Sequence, residues 1–220
     1  MKVLLSWSGG KDAAWTLHAL RQRDDTDVVG LLTTVTREHA RASMQGIRRS
    51  VLHAQARAAR LPLLEAEIPA DCTNEDYAAA MAAALAEASA RWPDVRAMAF
   101  GDLFLEDIRA WRVANLARIG WEVVTPLFGS DTAALAREMQ AGGLRAALCC
   151  VDTTQLDARF AGRDFDAALL RDLPAAVDPC GENGEFHTCV HAGPMFAAPL
   201  RLARGETVLR DGRFAYTDYA

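Results

Sequence analysis

The sequence predicts an α/β protein: a mostly parallel sheet with helical crossovers, followed by a smaller C-terminal region of mixed helix and strand. Three observations predict it. Apolar runs rich in β-branched residues alternate with alanine-rich helical stretches through about residue 150, as in successive βα units. A glycine loop, Ser8-Gly9-Gly10-Lys11-Asp12, joins the first apolar run to the first helical pattern. After Val151 the texture changes to short helices with a proline stop, then to strands punctuated by Pro and Gly. The division this suggests is 1–150 and 151–220.

In order, strands are predicted at 2–6, 28–35, 63–68, 95–100, 121–124 and 144–150, all in the parallel region. Helices at 12–22, 45–60, 74–90, 106–118 and 131–141 supply the crossovers, because their apolar residues recur at intervals of three and four. Gly120, Gly129 and Gly142-Gly143 mark helix ends and turns. The polar stretch Arg37–Ser43, directly after a strand, reads as a loop that stays mobile until a ligand arrives. The segment from Glu206 to Tyr216 reads as a hairpin turning at Asp211-Gly212.

Bulk properties exclude several classes. The 220 residues, 51% hydrophobic and 24% charged, are ordinary for a globular protein. No apolar run approaches the roughly 20 residues needed to span a bilayer. A formal charge of -5 argues against holding long nucleic acid. Met1-Lys2 leads straight into a strand, so no signal peptide is expected. The five cysteines are odd in number and lack a CxxC pair, which points to a reducing cytoplasm and away from a disulfide framework.

The loop carries the first chemistry. Two glycines let the backbone turn tightly and aim several N–H groups at one point, where a helix N-terminus adds partial positive charge, so a phosphate chain fits. The chain has two lysines, Lys2 and Lys11, and a lysine kept in the loop suits a compact ammonium at an anion. This is not a Walker loop: Leu5 stands where that motif needs glycine, and Asp12 follows the lysine. Asp12 suits Mg²⁺, which takes one or two carboxylates plus phosphate oxygens. The alternative is a plain tight turn with Asp12 favouring the helix start.

Ligands of open parallel sheets bind where the strand order reverses, which sets Gly101-Asp102 beside the loop. Gly101 would let a nucleotide lie close; Asp102 would contact metal or fix the loop. The plain alternative is a strand end followed by a turn. A second cluster is Cys180-Gly181-Glu182-Asn183-Gly184-Glu185-Phe186-His187-Thr188. Alternation would put Glu185, His187, Cys189 and His191 on one face, to bind an amine-bearing substrate or to transfer protons. A zinc site from His187, His191 and a nearby Cys or Glu, and an exposed hairpin with a solvated face, are the other readings. His18, His53, Cys149-Cys150 and most tryptophans read as packing or surface residues, Trp7 excepted because it adjoins the loop. Arg48-Arg49 is either a solvated helix face or a phosphate contact.

Ser6 to Asp12, Leu32-Thr33-Thr34-Val35, Ser43-Met44-Gln45-Gly46, Phe100-Gly101-Asp102 and Gly181 to Glu185 occur in the order seen in the diphthine-ammonia ligase family, which the chain resembles over almost its whole length. That family resembles the PP-loop ATP pyrophosphatases, adenine nucleotide alpha hydrolase-like proteins. The resemblance implies a HUP-type, Rossmann-like fold with helices on both faces, an ATP-binding domain over 1–150 and a substrate-recognition domain over 151–220. It implies ATP held by Ser6, Trp7, Ser8, Gly9, Gly10, Lys11, Asp12, Thr33, Met44 and Gly101, with Mg²⁺ at Asp12. Lys11, Asp12 and Asp102 would be catalytic, and Glu182, Glu185, His187 and Thr188 would bind the substrate.

The implied reaction is attack of a substrate carboxylate on the α-phosphorus of ATP, releasing pyrophosphate, then displacement of AMP by ammonia to leave an amide. The implied partners are ammonia and a carboxylate on a small molecule or a modified protein side chain, with no membrane; a homodimer stays open. The chain departs from the family at Ala13, where serine is usual, at Gln45, often histidine, and at His187, usually an acid. The other readings are a tRNA-modifying PP-loop transferase and an ATP or AMP sensor with reduced catalysis.

Overall fold

The computed structural model describes residues 1–220. Strand β1 (Lys2–Ser6) leads through the glycine loop into α1 (Lys11–Arg21) and β2 (Asp27–Thr36). A short strand β3 (Arg41–Ala42) folds back on the end of β2, pairing Val35 with Ala42. The polar stretch expected as a mobile loop is therefore in part a tight antiparallel return. Helix α2 (Arg49–Ala59) starts later than the spacing predicts, because Ser43–Gly46 is spent on a turn. Gly46 there has φ +68, and an added Cβ would lie 2.8 Å from the Tyr216 ring.

Strand β4 (Leu63–Ile68), α3 (Asn74–Arg91), β5 (Ala97–Ala99), α4 (Glu106–Ala117) and β6 (Glu122–Val124) complete the first sheet. Its parallel pairings are β1 with β2 and β5, β2 with β4, and β5 with β6. Leu31 and Leu32 pair with both β1 and β4, which puts those strands on opposite edges of β2. The parallel order is thus β4-β2-β1-β5-β6, and it reverses between β1 and β5. Period-two alternation splits the apolar residues of β1 between two layers. Val3 and Leu5 join α1 and α2 in a core of 41 buried residues that continues into the C-terminal region. Leu4 faces α3 and α4 in a second core of 12.

Helix α5 (Thr132–Ala141), capped by the Asp131 carboxylate, leads to β7 (Arg145–Asp152). The sequence places this run in the parallel sheet, and the structure corrects that. β7 pairs antiparallel with β8 (Phe186–Ala192) and β10 (Phe214–Tyr219), and β9 (Arg204–Arg210) closes a separate sheet of order β8-β7-β10-β9. The change of sheet falls between β6 and β7, so the expected division near 150 lies inside β7. A buried apolar run suits the centre of either kind of sheet, and periodicity does not distinguish them. A short helix α6 (Ala167–Asp172) precedes the turn into β8. The hairpin predicted at Asp211-Gly212 joins β9 to β10. Asp218 on β10 accepts hydrogen bonds from Arg41 and Arg48 of the first region, clasping the two sheets. No helix is long and apolar enough to cross a membrane.

Candidate functional site

The glycine loop is braced from below before any ligand is considered. Gln55 of α2, fully buried, accepts the Trp7 indole N–H at 3.0 Å and donates to the carbonyls of Gly9 and Val190 at 3.0 and 2.8 Å. The Val190 N–H also donates to the Gly9 carbonyl, at 3.0 Å. Gly9 has φ +78, and an added Cβ would meet Gln55, Ile47 and Leu52 at 2.8 to 2.9 Å, so glycine is required twice over. Trp7 is 1% exposed and packs edge-on against Phe196, under the loop. Its expected place is among the residues that hold ATP; the structure places it beneath the loop as a buttress.

Helix α1 has Gly10 as its N-cap, with no side-chain cap of its own. The Thr188 hydroxyl, from β8 of the other sheet, accepts the Lys11 N–H at 3.0 Å and caps the helix from across the molecule. Ser8 Oγ accepts the Gly10 N–H at 3.2 Å. Thr188 is buried, and its role is to hold the loop. Replacing it with valine should cost about 1 kcal/mol, the usual value of an N-cap, with serine retaining most of it. Denaturant unfolding of the two variants checks this.

Lys11 is the most constrained side chain of the site. Only 2% exposed, it donates to both Asp12 carboxylate oxygens at 3.0 and 2.8 Å and to the Cys180 carbonyl. The rings of Phe165 and Phe186 lie 5.7 and 5.6 Å from its ammonium. Burial works against its charge, but the adjoining Asp12 carboxylate prevails and its pKa rises above the ordinary lysine value.

Gly101 follows β5, and an added Cβ would stand 2.8 Å from the Asp12 carbonyl carbon, so it is glycine because α1 starts against it. Asp102 lies 3.3 Å from Arg112, whose guanidinium stacks over Phe100 at 4.0 Å. Its other oxygen, Oδ2, is buried with no partner. Burial pushes the Asp102 carboxyl up, Arg112 opposes that, and the nearby Asp12 adds to it.

The C-terminal turn divides its two acids by role. Glu185, 2% exposed, accepts the Asp178 and Asn183 N–H groups at 2.9 and 3.0 Å and the Asn183 side-chain amide at 3.0 Å. It is the internal acceptor of the turn, which corrects its expected place on an open polar face with His187, Cys189 and His191; Cys189 too is buried. β8 packs against the glycine loop and into the core, so neither of its faces is free for a uniform polar row. Glu182 instead faces the cavity and accepts the Leu103 N–H at 2.7 Å, bridging the turn to the chain after β5. Burial raises its pKa to about 6. Burial and the nearby Lys11 lower that of His187 to about 4, leaving a neutral imidazole. No three His, Cys, Asp or Glu side chains converge as a metal-binding group, so His187 and His191 form no zinc site with a Cys or Glu.

These groups surround a cavity of about 490 Å³ at the reversal point of the parallel sheet. The first sheet contributes Ser6, Ser8, Gly10, Lys11, Asp12, Gly101 and Asp102, with Met44 at the rim. The second contributes Glu182, His187 and Thr188. Four predicted residues, Trp7, Gly9, Thr33 and Glu185, stand outside the lining. Thr33 is buried within β2.

Sequence reasoning missed the opposite wall. Asp152 at the end of β7, 2% exposed, takes a two-pronged contact from Arg213 at 3.0 and 2.6 Å and hydrogen bonds from Thr154 and Gln155. The Arg213 guanidinium holds its carboxyl well below the usual carboxylate range. The available signal was an acid closing an apolar strand, as Asp102 does after β5.

Comparison with known proteins agrees in both regions. Residues 1–120 match the diphthamide synthase N-terminal domain and residues 131–215 the diphthamide synthase C-terminal domain. The chain is similar to the diphthine-ammonia ligase of Schizosaccharomyces pombe (strain 972 / ATCC 24843), 26% identical over 225 residues. The match covers 94% of this chain and 37% of that protein, so the chain spans little more than a third of its relative. With both halves of the cavity lying inside the two matched regions, the chain belongs to the diphthamide synthase family.

Proposed function

We propose that the chain is an ATP-dependent ligase that activates a carboxylate with release of pyrophosphate and converts it to an amide with ammonia. The observation that carries the proposal is one cavity in which the glycine loop and helix N-terminus of the first sheet face the Glu182 carboxylate and the His187 imidazole of the second. The relative named a diphthine-ammonia ligase supports the same reaction class. The substrate is a carboxylate carried on a small molecule or a modified protein side chain; 1–150 is read as the nucleotide half and 151–220 as the acceptor half, and the cytoplasm as the compartment.

Lys11 and the start of α1 would face the phosphates and offset the charge that gathers on departing pyrophosphate. Gly10 and Ser8 shape the loop, Met44 closes its rim, and Glu182 with His187 would face the acceptor and ammonia. Asp102 Oδ2, buried and unpartnered beside Asp12, fits a divalent cation, and a pair of carboxylates is what Mg²⁺ takes alongside phosphate oxygens. Bound there, Mg²⁺ would neutralise phosphate charge; Asp12 and Asp102 would hold it.

The test is joint release of AMP and pyrophosphate on adding ammonia and candidate carboxylates, one of each per amide formed. ATP binding without turnover across a broad carboxylate panel would sink the ligase reading in favour of a nucleotide sensor. Asp102→Asn should raise the Mg²⁺ concentration for half-maximal turnover by roughly tenfold or more, in line with losing a metal contact. An unchanged Mg²⁺ requirement would remove Asp102 from the cation site.

A further inference from the structure

Strand β9 is the free edge of the second sheet, and all seven of its residues are exposed. The Arg213 N–H donates to the Arg210 carbonyl at 3.0 Å, so residue 210 turns its main-chain groups toward β10. Strand alternation turns those of 208 the same way. The main-chain groups of Thr207 and Leu209 therefore point outward, available for another strand.

Soluble proteins usually blunt such an edge with proline, lysine, a bulge or a covering loop. β9 has no proline or lysine; its pairing with β10 runs in unbroken register from Thr207 to Arg210, and its one irregularity falls outside that run, between Thr207 and Arg204. It also shows solvent two large aliphatic side chains, Val208 at 40% and Leu209 at 60% exposure.

We infer that β9 is a homodimer interface, pairing antiparallel with β9 of a second copy about a two-fold axis through Val208. The occupant follows from charge. In this register Val208 meets Val208, Thr207 meets Leu209, and Glu206 of each copy stands opposite Arg210 of the other. Symmetry forms the Glu206–Arg210 pair twice.

The pleat allows only registers in which residues on the same face meet, and the two neighbouring ones fail. Centring on Thr207 sets Glu206 against Val208 and leaves Arg210 without its Glu206 partner. Centring on Leu209 sets Arg210 against Val208 and removes Glu206 from any partner on the opposing strand. The outward groups of Thr207 and Leu209 become the hydrogen-bonded pairs, and Glu206 and Arg210 fall in the closer, non-hydrogen-bonded pairs where side chains interact most. Glu206, Val208 and Arg210 line one wall of a cleft of about 1050 Å³ facing the β2–β3 return. The two-fold axis would bring both clefts to the same face of one continuous eight-stranded sheet.

Sedimentation equilibrium of the full chain across a wide concentration range tests this. The wild-type chain is expected to dimerise reversibly. Arg210→Glu and Glu206→Arg should each raise the dissociation constant by about 10- to 100-fold, since both charge pairs turn repulsive. Mixing the two variants in equal amounts should restore a dimer near wild-type affinity, because every facing pair is again of opposite sign. Both residues are exposed and outside the proposed active site, so the variants should fold as the wild type does. A wild-type chain that stays monomeric, including one whose β9 edge takes up a strand of a different protein instead, overturns the inference. So do single variants that dimerise as well as the wild type, or a mixture that fails to recover.

Discussion

Lys11→Met should abolish AMP and pyrophosphate formation, with kcat/KM falling by at least about 10³, the loss that follows from the role proposed for its ammonium at the leaving group. The same substitution should destabilise the protein, which the sequence alone gives no reason to expect. Lys11 is buried, and its ammonium satisfies the Asp12 carboxylate and the Cys180 carbonyl at once. Removing it leaves a carboxylate with no cation and a carbonyl with no donor. Breaking a buried pair costs about 3 to 5 kcal/mol, and because Asp12 keeps some access to solvent the lower end, about 3 kcal/mol, is expected here. Arginine should not rescue, because Lys11 is only 2% exposed with the Phe165 and Phe186 rings 5.7 and 5.6 Å from its ammonium, and a wider planar guanidinium does not reproduce a point charge there. Denaturant unfolding and a pyrophosphate-release assay report the two effects separately. Unchanged turnover in the methionine variant would remove Lys11 from the chemistry; unchanged stability would mean the ammonium leaves this buried position in solution.

The glycine loop was legible because several local rules coincide there: an apolar run before it, two glycines, a lone lysine and a helical spacing after it. The parallel sheet was legible for the same reason. What was not legible depends on neighbours far away in the chain. Thr188 reads locally as one more alternating strand residue, yet it caps a helix 177 residues away. Trp7 adjoins the loop in sequence but is drawn beneath it by Gln55. Glu182 and Glu185 belong to one acidic turn, and only the fold shows that Glu185 is consumed by the turn while Glu182 is turned outward to Leu103 and the cavity. Val151-Asp152 ends an apolar run that looks like any buried strand, so the change of sheet had no local signal, and the terminal acid hinted at a site without showing that Arg213, 61 residues on, would complete the wall.

Glu182→Gln should reduce kcat/KM for the acceptor by about 10², the usual weight of a positioned proton-transfer group, and should erase the acid limb of the pH profile near 6. The same substitution gives a stability signature of definite sign. The folded protein raises the Glu182 pKa from the ordinary 4.5 to about 6, so its protonated form is the one favoured by folding. That contribution is fully present below pH 4.5 and is lost as pH rises through about 6. Glutamine mimics the protonated acid at every pH. The variant should therefore match the wild type below pH 4.5 and become progressively more stable than it up to a plateau above 6. His187 works in the other direction: its pKa falls from 6.5 to about 4, so its contribution is present above pH 6.5 and is lost as pH falls through about 4. Both proteins carry His187, so the difference between their unfolding curves isolates Glu182. A variant that loses activity and gains stability at about pH 8 marks a carboxylate kept in an unfavourable, buried position because the reaction uses its charge. Equal stability of the two proteins across the range would mean that Glu182 is solvated in solution, and its proposed place facing the acceptor and ammonia would fall with it.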